Sequence, residues 1–201
     1  MQQDEWKTEG IVLPDVLLFE AGAVDTPEEW LSRLTKAYQV RKPFQNSGSR
    51  RGIPYAVPIC FGGNVRLTNE NKKDDIELVS QTEREYQDFI AEKAGSLIAT
   101  IREARKLSAL REAGKGFPYL AEPYGNSTNM VLYAALINNT GERAEKALAL
   151  LDFLLSEPAQ NKLPEAGLLP TMSIANPPDP EKHPLLHGVY AQMSDAAYAF
   201  D

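Results

Sequence analysis

The chain has 201 residues, of which 43% are hydrophobic and 24% charged, with a formal charge of −7 and a pI near 5.0. This composition suits a folded globular chain with room for one large body or two small ones, and its acidic balance argues against a nucleic-acid or anionic-membrane partner. One cysteine, Cys60, excludes an intramolecular disulfide and a cysteine-built zinc site. No run approaches the roughly 20 apolar residues of a membrane-spanning helix. The acidic start, Met1-Gln2-Gln3-Asp4-Glu5, is unlike a secretory signal, and Cys60 lies mid-chain, so neither a signal peptide nor a lipid-anchor cysteine is read here.

In chain order, residues 11–19 form an apolar run of strand length, which predicts a strand covered on both faces as in a parallel sheet. Thr26-Pro27-Glu28-Glu29 reads as a capping box opening a helix whose apolar face is Trp30, Leu31, Leu34 and Tyr38. Residues 41–51 are basic and polar around Ser47-Gly48-Ser49 and predict a mobile loop. Residues 53–61 are apolar, but Pro54 and Pro58 argue against a regular central strand and predict an edge strand or a crossover, closed by Gly62-Gly63.

Residues 68–81 read as a surface loop, followed by a second capping box, Thr82-Glu83-Arg84-Glu85, and a helix carrying Tyr86, Phe89 and Ile90 that stops by Gly95. A strand over 96–101, a helix over 104–113 stopped by Gly114, an extended 118–123 and a strand over 131–137 follow. The clearest helix spans 142–155, where Ala144, Leu148, Leu151 and Leu155 make one stripe. A short helix near 159–163 and an irregular, proline-rich 176–184 complete the pattern. His183 and His187 sit four apart, but Pro184 between them spoils a helical face, so the pair reads as solvated loop histidines and no metal site is expected. Strands alternating with helices indicate an α/β class.

Three stretches carry a resemblance. Ala147-Leu148-Ala149-Leu150-Leu151-Asp152-Phe153-Leu154-Leu155-Ser156-Glu157-Pro158-Ala159-Gln160, followed by Glu165-Ala166-Gly167-Leu168-Leu169-Pro170, is similar to the late helix and exit turn of the extracellular solute-binding proteins that feed sugar ABC transporters. Phe89-Ile90-Ala91-Glu92-Lys93-Ala94-Gly95-Ser96-Leu97-Ile98 resembles that family's entry to a C-lobe strand. Pro14-Asp15-Val16-Leu17-Leu18 with Gly52-Ile53-Pro54-Tyr55-Ala56-Val57-Pro58 resembles its N-lobe strand and first crossover. The matches occur in family order. The family's opening elements before Pro14 and several helices between Leu67 and Thr82 have no counterpart.

The resemblance implies a class II periplasmic-binding-protein-like α/β fold: two lobes with proline-marked crossovers, one or both reduced. Residues 1–57 and 124–163 would form the N-lobe-like part, and 58–123 and 164–201 the C-lobe-like part. It implies non-covalent capture of a carbohydrate-like solute by hinge closure, delivery to an ABC permease and an extracytoplasmic location. Loops after strand ends would then hold the ligand through Phe19, Glu20, Tyr55, Phe61, Arg102, Glu103, Tyr124 and Asn126. Aromatic faces stack on sugar rings while polar groups bond hydroxyls. Arg102 stands where the family often has an aromatic, which points toward an acidic sugar as well as a neutral oligosaccharide. Packing in the core competes for Phe19, Phe61 and Tyr55, and solvation competes for Glu20, Arg102 and Glu103.

No cofactor motif is present: there is no phosphate-cradling loop, no dinucleotide fingerprint and no nucleophile elbow. Cys60 sits in an apolar run, where inert burial is the ordinary state. Two other classes stay open on sequence, a cytosolic effector-sensing domain of similar fold and a hydrolase built on one of many carboxylate pairs. An incomplete lobe would expose apolar surface and favour a dimer.

Overall fold

The computed structural model describes residues 14–20, 23–24, 31–72, 78–79, 83–125, 128–137 and 141–193. In chain order the strands and helices are β1 (Val16–Glu20), β2 (Ser49–Arg50), β3 (Ile53–Pro54), β4 (Ala56–Phe61), β5 (Asn64–Asn69), β6 (Leu78–Val79), α1 (Glu83–Ile90), β7 (Ser96–Thr100), α2 (Ile101–Glu112), β8 (Tyr119–Pro123), β9 (Val131–Leu136), α3 (Glu142–Leu154), α4 (Glu157–Gln160), β10 (Leu169–Pro170) and α5 (Pro184–Gln192). They make two four-stranded sheets, ordered β1-β9-β4-β10 and β6-β7-β5-β8, and the hairpin β2-β3.

The first sheet is antiparallel throughout. This corrects the expectation of a doubly covered parallel strand at the start. β1 lies at the edge of the described sheet beside β9, and Leu18 is half exposed, because only one face of the strand meets the core. In the second sheet, β6 and β7 pair in parallel and the remaining pairs are antiparallel.

β4 is neither edge strand nor crossover: it lies between β9 and β10, and all six of its residues are buried. Pro58 is accommodated by a shift of register against β9 between Pro58 and Cys60. The shift also changes which way side chains face. Val57, Ile59 and Cys60 pack with Leu151 and Leu155 of the α3 stripe, whereas Ala56 and Phe61 join the other core with Phe44 and Tyr55. Strict alternation would have sent Phe61 under α3. The proline and its bulge turn it to the opposite side.

The polar groups freed by the bulge are taken up by Gln160, which is 1% exposed. Its Nε2 donates to Ile59 O and Leu154 O, each at 2.9 Å, while Oε1 accepts from Thr171 N–H at 3.1 Å and Met172 N–H at 3.3 Å. Thr171 Oγ1 donates to Pro58 O at 2.6 Å.

The predicted helix reaching Tyr38 is absent over 31–39, where the backbone is irregular. Its N–H groups go elsewhere: Ser32 N–H donates to Leu136 O and Leu34 N–H to Pro54 O, and Leu31 bridges Ile137. Pairing with distant strands outcompetes local helix preference. Residues 26–30, with Trp30 and the capping signal, lie outside the described residues.

The 41–51 segment folds into a short 3-10 turn, Lys42–Phe44, and the β2-β3 hairpin, with Phe44 and Ser47 buried. Gly48 (φ +83°) sits against Ala56 O, where a Cβ would collide. Helix α1 ends at Ile90, before the expected Gly95 stop. Glu92 adopts the left-handed conformation (φ 55°), and Lys93 N–H to Asp88 O (2.8 Å) with Glu92 N–H to Phe89 O (3.0 Å) complete a Schellman cap. Helix α5 extends the sequence reading, with Pro184 at its first turn and Leu186 and Val189 buried. His187 therefore lies on a helix, where a loop was expected.

Candidate functional site: the junction between the sheets

Three chain passages join the sheets: Phe61 to Asn64, Pro123 to Val131, and Pro170 to the start of α5, which packs on β8. The sequence division at 57/58 and 163/164 falls within β4 and ahead of β10, while strand pairing carries the first sheet on to Phe61 and Pro170. At the first passage, Gly62 N–H donates to Met130 O at 3.0 Å and Gly63 O accepts from Ile101 N–H at 3.1 Å. Thr128 Oγ1 lies 2.8 Å from Gly62 O, and Tyr124 N–H donates to Asn64 O at 3.0 Å. A Cβ on Gly63 would run into Val189 of α5, so glycine there permits the passages to touch.

Register places several of the expected site residues at or just after strand ends. Glu20 opposes Leu132 and Phe61 opposes Val131, so the ends of β1 and β4 flank the start of β9. Asn64 opposes Thr100 and Val65 opposes Pro123, so the ends of β7 and β8 flank the start of β5. Glu20 and Phe61 therefore end strands of the first sheet, and Arg102, Glu103 and Tyr124 follow strands of the second. Glu20, Arg102 and Tyr124 are exposed.

The remaining residues stand differently. Phe19 is buried, with its ring 5.8 Å from that of Tyr133 and at 24° to it. Tyr55 is buried in the main core. Phe61 is fully buried, 4.9 Å from the Phe44 ring. Glu103 closes a capping box on α2: its Oε2 accepts from Thr100 N–H at 2.7 Å, while Glu103 N–H donates to Thr100 Oγ1 at 3.2 Å. The Thr-x-x-Glu spacing at 100–103 carried that signal. Asn126 lies outside the described residues.

Two junction residues escaped the sequence reading, Arg41 and Tyr190. The Arg41 guanidinium carbon is 3.6 Å from the Tyr190 ring centroid and 5.9 Å from that of Phe61. Burial lowers the guanidinium pKa from its usual value. The available signals were a basic residue flanked by the buried Pro43-Phe44 pair and an aromatic on the Leu186–Val189 side of α5.

A groove of about 270 Å3 runs between α2, β8, α5 and the Leu163–Ala166 turn, lined among others by Tyr119, Glu165, Lys182 and His183. Arg105 Nη2 crosses it to donate to Glu165 O at 3.1 Å. Among the described residues, no three His, Cys, Asp or Glu side chains gather as metal ligands. His187 Nδ1 lies 2.8 Å from Pro178 O. Cys60 is buried and its thiol is pushed up to about 11 by desolvation, the opposite of an activated nucleophile. No described helix is long and apolar enough to cross a membrane.

No protein-family model matches the sequence, and no curated protein matches it. Solved structures do. The chain is similar to a ligand-free maltodextrin-binding protein from L. casei BL23 with a TM-score of 0.73 at 10% identity, over 98% of this chain and 76% of that one. It is similar to the maltose/maltodextrin-binding domain from Bdellovibrio bacteriovorus bound to maltotriose, with a TM-score of 0.63 at 14% identity, over 98% and 77% of the two chains. A periplasmic thiamin-binding protein matches with a TM-score of 0.53 at 15% identity, over 84% of this chain and 69% of that one. All three are binding proteins, and the thiamin case shows that this architecture does not by itself dictate a sugar ligand. By fold, the chain is a periplasmic-binding-protein-like α/β protein.

Proposed function

We propose that the protein binds a carbohydrate-like solute non-covalently between the two sheets and delivers it to an ABC-transporter permease outside the cytoplasm. The observation that carries this reading is the junction itself. Two sheets are joined by three passages, and in this reading the strand ends carrying Glu20 on one side and Arg102 and Tyr124 on the other are the rims of the cleft. Such paired rims suit a guest held by hydrogen bonds to both sides, with closure about the passages as the mechanism. The structural likeness to maltodextrin-binding proteins supports a sugar as the guest. Phe61, fully buried, would back the cleft from beneath its surface, and Glu103 would hold the α2 end that presents Arg102. Phe19 and Tyr55 would support the first rim from beneath, and Asn126 would extend the second.

The test is thermal unfolding against a panel of mono- and oligosaccharides. At a hundredfold excess over Kd, binding stabilises by about 2.7 kcal/mol, a rise of roughly 5–10 °C for a chain of this size. An unmoved melting curve across the panel overturns the reading. Recovery of the sugar chemically unchanged separates capture from hydrolysis. Stimulation of a partner permease's ATPase by the loaded protein checks delivery, and light scattering checks whether the chain dimerises.

A further inference from the structure

Arg41 enters the junction from the first-sheet side with its backbone pinned: its N–H donates to Thr171 O at 2.8 Å and its C=O accepts from Phe44 N–H at 2.9 Å. The side chain reaches across to Tyr190, on the helix that packs against β8 of the second sheet. Stacking satisfies the faces of a guanidinium but leaves its N–H edge needing acceptors. Here Nη1 is completely buried and has no hydrogen-bond partner. Among the described residues no carboxylate pairs with Arg41. An arginine stays protonated at neutral pH, so this is a part-buried cation with one fully enclosed N–H group and no carboxylate partner among the described residues.

We propose that Arg41 is the acid-reading group of the cleft: its stacked guanidinium donates a two-pronged hydrogen bond to the carboxylate of an acidic sugar, a uronate unit of an oligosaccharide. The sugar part of this statement rests on the function proposed above. The planar fork of arginine matches a carboxylate edge-on, and the Tyr190 ring holds the plane in place. One uncompensated positive charge calls for one negative charge. A phosphate monoester, near −2 at neutral pH, would leave an excess negative charge in a chain already at −7. Arg102, exposed on the opposite rim, is free to meet the rest of such a ligand.

The test is calorimetric titration of the full chain with a galacturonate trisaccharide, its methyl ester, maltotriose and a sugar phosphate. Arg41→Met and Arg41→Lys are run alongside, and urea unfolding verifies that each variant is folded. The expected result is that the acid binds at least tenfold more tightly than its ester. Arg41→Met brings acid affinity down to that of the ester, so the preference is lost, and Arg41→Lys keeps part of it. The acid–ester comparison on the unaltered protein stands even if a variant misfolds. Equal affinity for acid and ester, or tighter binding of the sugar phosphate, overturns the proposal while leaving carbohydrate capture intact. Binding of a sugar-free polycarboxylate such as tricarballylate through Arg41, with no sugar bound, supports the anion role and overturns the sugar reading. No binding by any ligand overturns both.

Discussion

Replacing Gln160 with leucine removes one side chain and disturbs three elements at once. The amide makes four hydrogen bonds, two donated to Ile59 O and Leu154 O and two accepted from the N–H groups of Thr171 and Met172. Leucine is of comparable size but serves none of them. Each satisfied hydrogen bond contributes about 1 kcal/mol net, and each buried group left without a partner costs about 1–3 kcal/mol. Water can reach Leu154 O, which is part-buried, so the full sum is not expected. The remaining three bonds give about 3–5 kcal/mol. With a urea m-value near 2 kcal/mol/M, the midpoint should fall by roughly 2 M with the slope unchanged. The same change releases the β4 bulge that aims Phe61, so sugar affinity should fall in native conditions as well. A loss below about 1 kcal/mol would refute the view that Gln160 completes the Pro58 irregularity.

Gly63→Ala should destabilise by about 1–3 kcal/mol through overpacking, since its Cβ meets Val189, and the double change with Val189→Ala should recover most of that in urea unfolding. Thr100→Ala and Glu103→Ala should each cost about 1 kcal/mol as cap losses, with strong coupling in a double-mutant cycle. If Glu103→Ala also weakens sugar binding where Thr100→Ala does not, Glu103 has a second role beyond the cap. Cys60 in the native chain should resist a disulfide reagent at pH 8 and react promptly in urea, and rapid native labelling would contradict its burial. Its folded pKa is raised, from 9.0 to about 11, so its contribution to stability is full below the unfolded value and is lost as pH climbs between the two. Cys60→Ala should flatten that alkaline decline.

Local chemistry settled much of the chain. The α3 stripe is legible because Ala144, Leu148, Leu151 and Leu155 follow the helical period, and the stripe buries Leu151 and Leu155. Helix α1, strand β7, helix α2 and strand β9 were likewise readable, since periodicity and stop residues act within a few positions. The strand ends at Glu20, Phe61, Thr100 and Pro123 fall at or beside those read from sequence, because the residues that stop a strand act locally. What lay beyond the sequence depends on partners far away along the chain. The 31–39 segment avoids a helix because Leu31 pairs with Ile137, and β4 tolerates Pro58 because Gln160, 101 positions from Ile59, supplies the missing bonds. Arg41 and Tyr190 meet only when α5 docks on the second sheet. Period and capping are short-range properties of a chain, whereas the enclosure of Arg41 Nη1 without a partner exists only once tertiary packing has formed around it.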